Sequence, residues 1–352
     1  MPDERHILVV RTDRMGDMIV TTPLFAAIKA AFPACRLTVL ASAAGAAVAR
    51  EHPAVDAVEV DPIEAKGSGW RGTLALARRL RRLRCDVAVL VHAKHRLAVA
   101  LWLARIPLRI GPGQRGYSFL FNRPVYQEHR RPPIRHETAY CMDLLRPLGI
   151  EPDPAARPLW RVGSAAAAAV EHLLGVHGLT PERELVTVHP GSGGSALNWT
   201  PERYAALADA LATQRGCAIA VTGSAAERAL VQRVCAAIMH TPAINLAGEL
   251  SVAQLAALLA RSALWIGSST GPSHLAAAVG TPIVALYCPL GECLPDRWRP
   301  QGEHCTVLVP PVNQVCPTCL GPRCPYFPCM DLITPDAVVE AAGALLRDRG
   351  AA

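Results

Sequence analysis

An α/β fold of parallel sheets in two domains is what the sequence predicts, and three observations predict it. Residues 264–286 read strand, tight loop, helix, strand: Leu264-Trp265-Ile266 is apolar, Gly267-Ser268-Ser269-Thr270-Gly271 is small and hydroxylated, 272–279 is Ala-rich and stopped by Gly280, and Ile283-Val284-Ala285-Leu286-Tyr287 is apolar again. The same step from apolar strand through a loop into a helix recurs elsewhere along the chain. At 352 residues the chain also exceeds the usual size of one domain, and each half is long enough to bury its own core.

The first element is Ile7-Leu8-Val9-Val10, a parallel-type strand; Arg11-Thr12-Asp13-Arg14-Met15-Gly16-Asp17 leads from it into a helix running to about Phe32, and Leu37-Thr38-Val39-Leu40 is the next strand. The turn has no G-x-G-x-x-G pattern and nothing matches a P-loop, so the residues do not support dinucleotide or ATP use. Asp17 stands at the mouth of this loop. The plain reading is that Asp13 or Asp17 caps the helix, and the other is that a carboxylate here meets a ligand.

Two groups of arginines follow. Arg71, Arg78, Arg79, Arg81, Arg82 and Arg84 lie on or near one helix and read as its solvated face. Arg105, Arg109, Arg115, Arg123, Arg130, Arg131 and Arg135 occupy a segment interrupted by Gly and Pro, where Arg is suited to bidentate contacts with phosphate. Residues 148–158, with Pro152, Pro154 and Pro158, form a linker, and the Ala-rich helix after Gly163 begins the second domain.

In that domain Leu185-Val186-Thr187-Val188 runs into His189-Pro190-Gly191-Ser192-Gly193-Gly194 and on to Trp199, before a helix opened by Thr200-Pro201-Glu202-Arg203. The strand Ala218-Ile219-Ala220-Val221-Thr222 ends in Gly223-Ser224-Ala225-Ala226-Glu227. With the loop at 267–271, three small-residue loops converge on one sheet edge, where open α/β sheets bind ligands. Free N–H groups at helix N-termini make a phosphate or diphosphate the expected ligand; an ordinary turn capped by Ser273 is the alternative. Thr334-Pro335-Asp336 opens a last helix to about Arg347.

No uninterrupted apolar run approaches the ~20 residues of a membrane span. The N-terminus carries charges followed by a strand rather than a signal peptide, which points to a cytoplasmic protein. The formal charge of +7 suits anionic lipid better than nucleic acid. Twelve cysteines are expected as reduced thiols, with Cys85, Cys217 and Cys235 as small core residues. Cys316, Cys319, Cys324 and Cys329, spaced C-x2-C-x4-C-x4-C, either close a tetrahedral zinc site that staples their loop or stay free, since prolines intervene and the second pair lacks the short spacing.

Three motifs together resemble glycosyltransferase family 9, the ADP-heptose:lipopolysaccharide heptosyltransferases. They are Arg11-Thr12-Asp13-Arg14-Met15-Gly16-Asp17 with Thr22-Pro23, His189-Pro190-Gly191-Ser192 with Trp199 and Pro201-Glu202-Arg203, and residues 270–278, in order over nearly the whole chain. The resemblance implies a GT-B fold: two Rossmann-like domains facing across a cleft, the acceptor-binding one over 1–155 and the nucleotide-sugar-binding one over 156–332. It implies a helix over 333–352 that crosses back to the first domain. The implied activity is an inverting transfer of heptose from ADP-heptose to a lipopolysaccharide core acceptor, with no metal and no cofactor. The enzyme would be cytoplasmic and peripheral on the inner membrane.

Carried over position by position, the resemblance makes Asp17 the general base, which displaces the cap reading. Ser192, Gly193, Thr270 and Gly271, with Ser269 beside them, would surround the diphosphate. Glu227 would hold the ribose hydroxyls, Leu250 would rest against the adenine, and His274 would orient the loop or touch phosphate. The chain departs from the family at Leu197, where many members carry Lys, and at Ser269, where they carry Asp. Those departures keep open a related transferase with another nucleotide sugar, or a binding protein without turnover; retention of Asp17 argues against the last.

Overall fold

Short runs of Val, Ile, Leu and Ala, buried on both faces, build two parallel sheets. The computed structural model describes residues 4–61, 69–92, 94–127, 135–194, 196–240, 242–313 and 315–349. The chain divides into two units between Pro158 and Leu159.

The first unit contains β1 (His6–Arg11), α1 (Met15–Ile19), α2 (Thr22–Ala31), β2 (Arg36–Ala41), α3 (Ala43–Arg50), β3 (Ala57–Val60), α4 (Gly69–Leu83), β4 (Val87–Leu90), α5 (His95–Leu103), β5 (Leu108–Pro112), β6 (Arg123–Val125) and α6 (Glu137–Asp143). Its strands are parallel in the order β3-β2-β1-β4-β5-β6. The second contains α7 (Ser164–Val176), β7 (Leu185–His189), α8 (Pro201–Arg215), β8 (Ala218–Val221), α9 (Arg228–Ala237), β9 (Ile244–Asn245), α10 (Val252–Arg261), β10 (Leu264–Ser268), α11 (Gly271–Ala278), β11 (Ile283–Leu286), α12 (Pro295–Trp298), β12 (Cys305–Leu308) and α13 (Pro335–Arg349). Its sheet, also parallel, runs β12-β11-β10-β7-β8-β9. Each unit's first strand therefore lies beside its fourth. The order reverses there, which opens a crevice at the carboxyl ends of those two strands.

The single helix expected from Asp17 to Phe32 is broken into α1 and α2. Pro23 has no N–H to return to Ile19, and the hydroxyls of the two threonines serve in the helix's place: Thr21 Oγ1 donates to Asp17 O and Thr22 Oγ1 to Ile19 O, each at 2.8 Å. The break fixes the short helix that carries Asp17. Along α4, Leu76, Ala77 and Leu80 face the core, and Arg71, Arg78, Arg81 and Arg82 are exposed.

The last helix packs into the core of the second unit. On α13, Val338, Ala342 and Leu346 recur every fourth residue and enter the second unit's core with Val186, Leu207, Ile266 and Val284. The chain leading into it is pinned there as well: Trp199 Nε1 donates to Met330 O at 2.9 Å and Arg203 Nη1 to Ile333 O at 3.1 Å.

Candidate active site

In the first unit, β1 ends on Arg11, whose side chain is only 2% exposed. A guanidinium taken out of water needs its charge and its donors matched. Each of its nitrogens finds a carboxylate: Nε donates to Asp13 Oδ1 at 2.9 Å, Nη2 to Asp17 Oδ1 at 2.7 Å and Nη1 to Glu137 Oε1 at 3.1 Å. Glu137 comes from the first turn of α6, which is fixed at both sides. His136 Nδ1 accepts the Thr138 N–H at 3.1 Å, and Thr138 Oγ1 donates to Val20 O, at the end of α1, at 3.1 Å. Two residues past β4, His92 brings Nδ1 to 2.7 Å from Asp13 Oδ2. The cluster thus stands where the strand order reverses between β1 and β4.

Neither aspartate caps α1. The cap position is Arg14 and no side chain makes the cap hydrogen bond, because both carboxylates are turned to Arg11. Burial works against the charge of each, with opposite results. At Asp13 it is overcome by Arg11 and His92, which hold the carboxyl down at about 2. At Asp17 burial prevails over Arg11, and the like charges of Asp13 and Glu137 add to it, so the carboxyl sits above its ordinary value. Two carboxylates with proton affinities driven apart are a frequent mark of acid–base sites, and Asp17 is the stronger proton acceptor.

The second group of arginines is divided. Arg109 is spent on its own loop, donating to Leu120 O at 2.9 Å and Ile106 O at 2.6 Å, and Arg135 pairs with Asp143 at 2.8 Å. Arg105, Arg115 and Arg123 are exposed, whereas Arg130 and Arg131 lie outside the described residues. From 69 to 127 the sequence has twelve Lys and Arg against one acid, Asp86.

In the second unit β8, β7 and β10 are neighbours and parallel, so the three small-residue loops do share one sheet edge. Glu227 joins two of them. Its Oε1 accepts the Gly193 N–H at 3.1 Å, and Oε2 accepts the Ser224 hydroxyl at 2.7 Å and the Ser224 N–H at 2.8 Å, the last being one of the two bonds of a capping box. Half-buried as it is, these donors and His189 hold the carboxyl below its ordinary value. The carboxylate lies over Gly191, where a Cβ would meet Glu227 Oε1 at 2.1 Å; only glycine admits this approach. Ser192 knits its loop, its hydroxyl donating to Ala196 O and accepting from Asn198 Nδ2, both at 3.1 Å.

On the third loop, Thr270 is the extended residue before α11, and no side chain caps the helix. Ser273, the cap candidate, instead turns its hydroxyl to Thr270 O at 2.6 Å. Ser269 N–H donates to Leu286 O at 3.1 Å, Gly271 opens the helix and His274 is buried in its first turn. Gly267 lets β10 lie against β7, since a Cβ there would meet His189 O at 2.6 Å. Leu250 is half-buried against a side cluster of the core, just before α10.

Cys316, Cys319, Cys324 and Cys329 line one small cavity of about 110 Å³ with Leu197, Leu290 and Phe327. Among the described residues no three His, Cys, Asp or Glu side chains are grouped to hold a metal ion, so the zinc reading of this loop is not carried by the geometry. Leu197, in place of the family's Lys, packs into that apolar wall.

Sequence reasoning missed Glu137 and His92. Glu137 lies 126 residues from Arg11 and no spacing connects them. The available signal was Arg11 itself, a cation at the end of an apolar strand that demanded buried partners.

The model of glycosyltransferase family 9 (heptosyltransferase) matches residues 73–325. Lipopolysaccharide heptosyltransferase 2 of Salmonella typhimurium is 27% identical over 98% of this chain and 99% of its own. The lipopolysaccharide core heptosyltransferase of Haemophilus influenzae is 24% identical over 80% of this chain and 79% of its own. Among solved structures, a family 9 glycosyltransferase from Veillonella parvula superposes with a TM-score of 0.80 at 22% identity, covering 99% of each chain. The ADP-heptose lipopolysaccharide heptosyltransferase II of Escherichia coli superposes at 0.79 and 24% identity, covering 98% of this chain and 99% of its own.

Proposed function

Because the chain belongs to glycosyltransferase family 9, the heptosyltransferases, and has their GT-B-type fold, we propose that it moves a heptose from ADP-heptose to a lipopolysaccharide core acceptor with Asp17 as general base. The observation that carries this is the Asp17 carboxylate, fixed by Arg11 at the sheet's reversal point with its proton affinity raised. In an inverting transfer, an acceptor hydroxyl hands its proton to Asp17 as its oxygen attacks the anomeric carbon, and the bond from that carbon to the diphosphate breaks with its electrons on the leaving oxygen. The start of α11, where no side chain makes the cap hydrogen bond, suits the charge that develops there. The donor residues in this reading are Ser192, Gly193, Ser269, Thr270, Gly271 and His274, with Glu227 on the ribose and Leu250 against the adenine. Three acceptor sites on the Glu227 carboxylate are already filled, which leaves one on Oε1 for a hydroxyl.

Glu227→Ala is expected to weaken ADP binding by roughly 1–3 kcal/mol in calorimetric titration. Gly191→Ala is expected to do the same by pushing the carboxylate aside. Unchanged affinity in both variants would place the nucleotide elsewhere. A second reading, a different nucleotide sugar, is favoured by Leu197, which packs against apolar groups where a cation would meet the diphosphate. Titration with a panel of ADP- and UDP-sugars, followed by a transfer assay with the tightest, separates the two.

No helix among the described residues is long and apolar enough to cross a membrane. We place the protein in the cytoplasm, peripheral on the inner membrane, on the strength of the basic segment 69–127 and its exposed Trp70, Trp102, Phe119 and Tyr126. Salt-sensitive sedimentation with anionic vesicles tests it.

A further inference from the structure

We propose that Glu137 is a positioning residue for the transfer, acting on Asp17 through Arg11. This rests on the reading of Asp17 as the base.

The argument starts from the fork of Arg11. Its Nε and its two terminal nitrogens leave Cζ in fixed directions, so the carboxylates on two of them dictate where the third points. Asp13 and Asp17 both lie on the short stretch that follows β1, six residues or fewer from Arg11. They would follow any rotation of that side chain. Glu137 is different in origin, since α6 delivers it from 126 residues away. Thr138 Oγ1 on Val20 O and Thr21 Oγ1, 3.7 Å from Cys141 Sγ, tie the same helix face to the far end of α1. Glu137 thereby sets the orientation of the guanidinium against a part of the fold that the β1 loop does not control. Held this way, Nη2 meets Asp17 Oδ1 at 2.7 Å.

The charge of Glu137 has a second effect. One guanidinium serves three carboxylates, so the cluster is short of positive charge. The groups acting on Asp17 are Arg11 from β1, Asp13 from the loop and Glu137 from α6, and the Cys141 thiol of α6 accepts from Arg11 Nη1 at 3.5 Å. His92 reaches the cluster through Asp13. Of these, Glu137 is fully enclosed, 2% exposed, and its repulsion makes Asp17 a stronger acceptor.

Position and charge separate in two variants. Glu137→Gln keeps an oxygen for Arg11 Nη1 and removes the charge. It is expected to keep kcat within a few-fold, while the acid limb of the kcat–pH profile moves to lower pH as Asp17 loses a repelling neighbour. Glu137→Ala removes the oxygen too and is expected to lower kcat roughly 10–100-fold at saturating donor and acceptor with donor KM little changed, the scale of a misplaced catalytic group. An acid limb that stays put in Glu137→Gln overturns the proposal, and that soluble, conservative variant decides the matter even if Glu137→Ala does not fold. Asp17→Asn measured alongside keeps the two readings apart: if it retains turnover, the base assignment fails, whereas if it is inactive and the Glu137 variants behave as wild type, the positioning role alone fails.

Discussion

Asp17→Asn is expected to lower turnover by about 10²–10⁴-fold, with the donor affinity of the second unit unchanged. The amide retains an oxygen for Arg11 Nη2, now at 2.7 Å from Asp17 Oδ1, so the cluster keeps its geometry and loses one negative charge from a group short of positive charge. Stability should therefore hold or rise slightly, and a lost base is distinguished from a lost fold. A single-turnover transfer assay with saturating donor reads the effect. Near-normal transfer would transfer the role to Asp13, although a carboxyl held at about 2 by Arg11 and His92 is a weak acceptor.

Removing the cation has the opposite signature. Arg11→Leu leaves Asp13, Asp17 and Glu137 around an apolar side chain, and stranding buried charges in this way costs about 3–5 kcal/mol. Urea denaturation followed by a probe in the first unit should show that loss. Arg11→Lys, a point charge without the fork, should recover only part of it. The same ion pairs give wild type an acid sensitivity with a defined sign. The carboxyl of Asp13 is depressed from 3.8 to about 2, so its share of the stability is complete above the upper value and disappears as pH falls through the lower one. A loss below 1 kcal/mol in Arg11→Leu would mean that water reaches the carboxylates after all.

The parts of the fold that depend on local pattern were legible in the chain. Ile7-Leu8-Val9-Val10 and Ile283-Val284-Ala285-Leu286 read as strands and are buried parallel strands, and the loops at Gly191, Gly223 and Gly271 are marked by small residues at strand ends. Pro23 was visible as well, yet its effect needed the two threonine hydroxyls that take up the freed carbonyls, a hydrogen-bond pattern that composition does not reveal. Asp17 could be singled out only through its resemblance to a family motif. Its partner Glu137 was hidden because long-range ion pairs follow from topology rather than spacing. Leu197 was recognised as a departure, but its place in the wall of the cysteine-lined cavity depends on where the 316–329 loop folds.

The seating of α13 bears on how this protein can be recombined. The stripe of Val338, Ala342 and Leu346 seals the core of the second unit with material from that unit's own end of the chain. A cut after Pro158 therefore leaves the packing of this stripe whole. On the proposed placing of the donor in the second unit and the acceptor in the first, a graft that keeps residues 159–349 and exchanges what precedes them for the corresponding part of a relative is expected to retain its donor and change its acceptor.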